Sequence, residues 1–453
     1  MRRRSFLKSA TFAAVATPEL ARAMIQAENK AGAIPQKTYP PLTGPFRLPI
    51  EWYKATTARF QRKLAEQKLD GAVITDANSI NYLTGSFAVT TERPIWLFVP
   101  AKGDPAVFHP GLDRDMWGSW WIGDHEWYFD YPHHGPFNKV VFEAGPEADL
   151  FAWMLDGLAK RGYGKARLGF ERRPADEQIQ AMEKRGMKPD WRIAGPIVIH
   201  LREVKTDEEI ALARVALQLH DRMMDFARDY ILAHGTGATD FEVGHATKSF
   251  GASELTKYLK LDGKPHTGVG IDISFDCRTG VATAYPHPNQ FFHARIQRSD
   301  AVQIAADVKI GGHGGEGYRA LQIAGPNVTD LHHRLWDVHT AMTVEQQKLS
   351  VAGRKCNEVG AGVLKLARDA GLEKYVYHRP AHGEGSEGHQ PPYLSLGDNT
   401  VLEENMTFSN EPGLYNPEGG FGYNHGNLVR VTKSGGEQMN QTPLTKEWCW
   451  IKL

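Results

Sequence analysis

Apolar residues recur at helical spacing at Phe60, Leu64, Ala65 and Leu69, which predicts an amphipathic helix early in the chain. Gly71 is placed to end it. Residues 71–75 then form an apolar run, Gly-Ala-Val-Ile-Thr, as a buried strand does. Residues 95–99 and 106–108 repeat that pattern, and strands alternating with helices argue for an α/β domain. Aromatic residues crowd the next stretch: Trp117, Trp120, Trp121, Trp127, Tyr128, Phe129 and Tyr131. Rings bury much area per residue, so this run predicts a core edge or a subunit interface, with a lid over a neighbouring subunit's pocket as the sharper alternative.

The pattern restarts after residues 190–205. Thr206, Asp207, Glu208 and Glu209 form a T-x-x-E capping box. A long helix follows, marked by Ile210, Ala213, Ala216, Leu217, Met223 and Phe226, and residues 235–239 break it. A second helix starts at Asp240. Residues 301–304 read as a strand, and 331–349 and 357–370 as helices. The end of the chain is strand-like and rich in Gly and His. Before all of this, residues 24–50 carry Pro35, Pro40, Pro41, Pro45 and Pro49, which predicts a lead that wraps or links rather than packs.

A chain of 453 residues suggests two domains. The resulting division is a leader over 1–23, the proline-rich lead over 24–50, a first domain over 51–200 and a second over 201–453. Formal net charge is zero, so no global basic field gathers nucleic acid or anionic lipid, and a small-molecule partner is expected. No stretch approaches 18 apolar residues, and no membrane span is expected. Arg3 and Arg4 precede Phe6, Leu7 and Lys8, a modest apolar stretch, and Ala21-Arg22-Ala23. This resembles a twin-arginine signal with an A-x-A cleavage site, and predicts a periplasmic or secreted protein. Cys277, Cys356 and Cys449 are odd in number and far apart, which fits neither a disulfide framework nor a CxxC metal site.

Four stretches, taken in order, resemble the creatinase/prolidase/aminopeptidase P family. They are Asn78 to Gly85 (NSINYLTG), Leu201 to Ile210 (LREVKTDEEI), His378-Arg379-Pro380-Ala381-His382-Gly383-Glu384-Gly385 with His389-Gln390-Pro391-Pro392, and Asn410-Glu411-Pro412-Gly413-Leu414-Tyr415. The resemblance spans roughly residues 52–440. It implies an α/β (α+β) chain: an N-terminal creatinase-type domain, then a pita-bread domain with a curled antiparallel sheet. It also implies a homodimer.

Metallopeptidases of that family hold two metals with Asp, Asp, His, Glu and Glu. His382 and Glu411 match two of these places. Counted from Asp300, the first aspartate falls on Ala305; counted around Gly317 and Tyr318, the second falls on Leu321. The last glutamate falls on His425 or Gly426. A site stripped of bridging carboxylates should not hold two dications. The expectation is therefore a site without metal or other cofactor, as in creatinase, which acts on a guanidino compound by histidine acid–base chemistry. His287, His382, His389 and Glu411 are the expected catalytic residues, since imidazoles exchange protons near neutrality. Asp307, Tyr318, Arg319 and His425 are expected to bind substrate. Asp307 shares a strand face with Ala305, and Arg319 could clamp a carboxylate. Glu384 and Glu387 read as solvated charges or as pocket groups.

Three functions stay open. The first is a metal-independent hydrolase of a C–N bond in a small amidino or amide compound. The second is a metallohydrolase (Xaa-Pro aminopeptidase or dipeptidase-like) or lyase, with a divalent ion at His382, Glu411 and His425. The third is a non-catalytic binding protein.

Overall fold

The computed structural model describes residues 18–32, 34, 37–88, 91–129, 149–262, 269–288 and 293–453. The proposed leader up to residue 17, and Tyr131 of the aromatic run, lie outside them. Among the described residues no helix is long and apolar enough to cross a membrane. The chain divides into two compact units, one of residues 47–204 and the other of the remainder.

The smaller unit is built on a six-stranded sheet in the order β4-β3-β2-β1-β5-β6. Its strands are β1 (Gly71–Ile74), β2 (Trp96–Pro100), β3 (Ala106–Pro110), β4 (Asp124–Tyr128), β5 (Arg167–Phe170) and β6 (Lys188–Asp190). β1 runs antiparallel to β2 and parallel to β5. The first amphipathic helix spans Ile50–Glu66 and buries Phe60 and Leu64. It stops before Gly71. Lys68 takes the left-handed turn with φ +58°, and Gly71 instead opens β1, where a Cβ would lie 2.6 Å from the Phe98 ring. The NSINYLTG motif is the helix Ala77–Thr84. The Asp76 side chain accepts from the N–H groups of Asn78 and Ser79 at its start, and left-handed Gly85 closes it. Trp117 is fully buried, and Trp120 and Trp121 both donate Nε1–H to the Thr84 carbonyl at 2.8 Å. These rings pack within their own unit.

In the larger unit the capping box holds. Thr206 Oγ1 accepts from Glu209 N–H, and Glu209 Oε2 from Thr206 N–H. It starts α2 (Asp207–His234), and α3 (Asp240–Thr256) follows. α1 (Pro18–Gly32) straddles the expected leader and the expected loose lead, and it packs on α3. Ala27 is fully buried, and Lys30 pairs with Glu242 at 2.8 Å. Two sheets carry the site. One has the order β17-β9-β8-β7, from β7 (Asp272–Thr279), β8 (Ala301–Ile310), β9 (His313–Ile323) and β17 (Trp450–Ile451). The other has the order β11-β10-β12-β15-β16, from β10 (Ala381–Gly383), β11 (Gln390–Leu394), β12 (Thr407–Asn410), β15 (Asn427–Val431) and β16 (Gly436–Gln438). A bridge between Tyr318 and Gly426 links them. The hairpin β13 (Leu414–Asn416) and β14 (Phe421–Tyr423) stands apart. The helices α4 (Asp330–Leu349) and α5 (Cys356–Asp369) flank these strands. This is a creatinase-type domain followed by a pita-bread domain.

Candidate active site

The β8–β9 hairpin sets one wall. Gly311 and Gly312 hold φ +58° and +80°, the two left-handed positions that a tight two-residue hairpin turn demands. Ile310 and His313 flank that turn as a pair. The register that follows pairs Ala305 with Tyr318 and Asp307 with Glu316. Directly opposed residues, and residues two apart, share a sheet face. Ala305, Asp307, Glu316 and Tyr318 therefore form one row.

β10 and β12 supply the facing groups. His382 opposes Ser409, and the Glu411 N–H donates to the Pro380 carbonyl at 2.9 Å. His382 Nδ1 lies 3.1 Å from the Gly383 carbonyl. A carbonyl only accepts, so Nδ1 carries the proton and Nε2 faces the site. His382 Nε2 stands 3.0 Å from Glu316 Oε1 and 3.4 Å from Glu411 Oε1. The His389 ring stacks on that of His382, with centroids 3.7 Å apart. Tyr318 donates its hydroxyl proton to Glu316 Oε2. Glu384 is fully buried, and its Oε1 accepts from the Glu316 N–H at 3.0 Å; it is no solvated charge.

Burial opposes charge at each of these groups, and the neighbours decide the outcome. At His382 burial works against the imidazolium, but the Glu316 and Glu411 carboxylates overcome it and push the group up to about 11. At Glu316 burial works against the carboxylate, yet His382 and the Tyr318 hydroxyl hold it down at about 2. Glu384 goes the other way: burial, then the charges of Glu316 and Asp307, raise it well above the carboxylate range. Burial also raises Asp307, with Lys309 opposing. Burial, and then the charge on His382, lowers His389.

The expected residues do not all converge. His382, His389 and Glu411 come together, with Tyr318 beside them. Asp307 lies on the same strand face. His287 is exposed after a short turn, and among the described residues it makes no hydrogen bond or ring contact with His382. Arg319 does not reach the pocket. Strand alternation turns it to the opposite face, where it is fully buried and donates to the carbonyls of Pro443, Tyr318, Gly426 and Thr442 and to Asn427 Oδ1. His425 is also turned away. Its Nδ1 accepts from the Ala320 N–H at 3.2 Å, and its ring lies 4.4 Å from that of His339. Leu321 sits on the far face, opposite Val302. The carboxylate that β9 contributes is Glu316, which the motif count passed over. Its signal was the two-residue step back from Tyr318.

These positions test whether a metal fits. Glu316 Oε1 and His382 Nε2 are buried and close, yet neither has a properly aligned hydrogen-bond partner. Ligand atoms about 2.0–2.2 Å from one ion stand about 3.0–3.5 Å apart, which is the spacing His382 Nε2 makes with both carboxylates. Glu316, His382 and His389 offer ligand atoms within 4.8 Å of one another. One divalent ion therefore fits Glu316, His382 and His389, with Glu411 Oε1 beside them at 3.4 Å from His382 Nε2. The expected set with His425 does not. A second ion has no support at Ala305 or Gly426, because neither side chain carries a ligand atom.

Comparison with known proteins follows the same lines. The pattern of the Creatinase/Prolidase N-terminal domain matches residues 57–204, and that of Metallopeptidase family M24 matches residues 211–433. The chain belongs to the creatinase/prolidase/aminopeptidase P family. It is similar to an Xaa-Pro dipeptidase from Lactobacillus delbrueckii subsp. lactis, 27% identical over 79% of this chain and 89% of that one. Its fold matches the crystal structure of dipeptidase PepE from Mycobacterium ulcerans, with a TM-score of 0.71 at 22% identity over 90% of this chain and all of that one. It also matches the N-terminal domain of the FACT complex subunit SPT16 from chickpea, with a TM-score of 0.66 at 10% identity over 89% of this chain and 99% of that one. One fold serves proteins of different kinds, so activity must be argued from the site.

Proposed function

We propose that this chain is a metal-dependent hydrolase of a C–N bond in a small amide or peptide, using one divalent cation at Glu316, His382, His389 and Glu411. The observation that carries this is the grouping of Glu316, His382 and His389 ligand atoms within 4.8 Å of one another, with Glu411 Oε1 3.4 Å from His382 Nε2. The similarity to Xaa-Pro dipeptidases supports the reaction class. The metal-free reading is weakened by His382 itself. The Glu316 and Glu411 carboxylates favour the imidazolium form of His382, which can give a proton but not take one.

A bound cation would supply an activated water and polarise the scissile carbonyl. The chain's own residues do the rest. Glu316, kept anionic, provides negative charge against that cation. Tyr318 holds Glu316 in its rotamer. Glu384, buried and holding its proton, accepts from the Glu316 N–H and fixes the backbone of β9 at that residue.

The test is hydrolysis of Xaa-Pro dipeptides and other small amides by chelator-stripped protein, with and without cobalt, manganese or zinc. Turnover is expected only with metal, and is lost in His382→Ala. Equal turnover by the stripped enzyme would overturn the reading. We further propose, from the family resemblance and the leader, an exported homodimer. Sedimentation and N-terminal sequencing of periplasmic protein test these two points.

A further inference from the structure

Tyr318 and Gly426 face each other across the bridge between the two sheets. Tyr318 N–H donates to the Gly426 carbonyl at 3.0 Å, and Gly426 N–H to the Tyr318 carbonyl at 2.9 Å. Gly426 has no left-handed φ, so its backbone tolerates any residue. Space does not: a Cβ at 426 would lie 2.0 Å from the Tyr318 ring, inside any allowed contact. The ring thus occupies the room that a longer side chain on that strand would need. Its hydroxyl is committed to Glu316 Oε2, leaving Oε1 to face His382. Across β8 the row continues with Ala305, which has no ligand atom.

We propose that Tyr318 and Gly426 are a matched pair that reserves the centre for a single cation: the ring fills the second ion's side of the site, and the hydroxyl positions Glu316 toward the first. The proposal rests on the one-cation reading above, and its steric half is measurable without any metal. Tyr318 is a positioning residue, because it acts through Glu316.

The experiment uses the full chain. In chelator-stripped protein, Gly426→Ala is expected to lower Tm by about 5 °C or more, as overpacking does. The same change in a Tyr318→Ala background should shift Tm by less than about 2 °C, and in a Tyr318→Phe background it should cost as much as in the wild type. Cobalt binding, followed by equilibrium dialysis and elemental analysis, should saturate at one equivalent in both the wild type and Tyr318→Phe. The Kd of Tyr318→Phe should be weaker by about ten-fold or more, the usual weight of a group that orients a ligand. Additive losses in the thermal cycle, a second tight equivalent in the wild type, or unchanged cobalt affinity in Tyr318→Phe overturns the proposal. A wild type that binds no cobalt defeats the one-cation reading instead, and the thermal cycle alone then decides whether the pair is matched.

Discussion

His382 Nε2 and Glu316 Oε1 lie 3.0 Å apart in a buried site without a properly aligned hydrogen bond between them. A divalent ion between them would replace the imidazolium proton as the positive charge that Glu316 faces. Glu316→Ala should therefore reduce bound cobalt or zinc from about one equivalent to under about one tenth. It should also cut turnover by about 100-fold or more. Metal content measured by elemental analysis alongside hydrolysis checks both, and full occupancy in the variant removes Glu316 from the ligand set.

Cation binding should be coupled to pH. Below about 11 the metal-free His382 carries a proton, and a ligating imidazole must lose it. Affinity is thus expected to rise with pH by up to about ten-fold per unit between pH 6 and 9, with close to one proton released. Calorimetry of cobalt binding in buffers of different ionisation enthalpy counts that proton. No proton release would show that His382 stays out of the first coordination sphere.

The histidines should separate by function. His389, though exposed, stacks on His382 and is a candidate ligand, whereas the exposed His287 makes no hydrogen bond or ring contact with His382 among the described residues. His389→Ala is expected to lower kcat/KM by about ten-fold or more, and His287→Ala by less than about three-fold. The reverse order would return His287 to the expected catalytic set.

Arg319 should matter to folding rather than to substrate. Its guanidinium satisfies four buried carbonyls and Asn427. Arg319→Met strands those acceptors and should cost about 3 kcal/mol or more. Urea denaturation measures it. A stable variant with a raised KM would return Arg319 to the pocket.

In the smaller unit His109 is fully buried, with Nε2 3.0 Å from His125 Nδ1. Burial lowers it to about 4, and its hydrogen bond to the Pro110 carbonyl only partly offsets this. The folded state resists a proton that the unfolded chain takes near 6.5. Stability is thus lost as pH falls from about 6.5 to about 4, and the loss levels off below that. The wild type should lose about 3 kcal/mol more than His109→Gln over this window. Denaturant midpoints at pH 7 and pH 4 give the comparison, and equal losses would clear His109.

Much of this was legible in the chain. The capping box at Thr206 and Glu209 followed from a local rule, and His382 with Glu411 from the motifs of the resembled family. A capping box depends on residues a few positions apart. Glu316 was passed over, and Arg319 and His425 were misread, because their roles depend on which face of a strand each presents. That is set by pairing across the hairpin and across the bridge to Gly426, which no window of sequence reports. Glu384 was left open between a solvated charge and a pocket group because nothing near it in the chain reveals the burial that tertiary packing imposes.

The turn at Gly311 and Gly312 governs more than a reversal of direction. Lengthening that corner by a single residue would slide one strand past the other and exchange its inner and outer rows. Arg319 and Leu321 would then look into the cavity while Glu316 and Tyr318 looked out, turning an anionic hollow into a cationic, greasy one. The chemistry of the pocket is thus written partly in two residues that have no side chains at all.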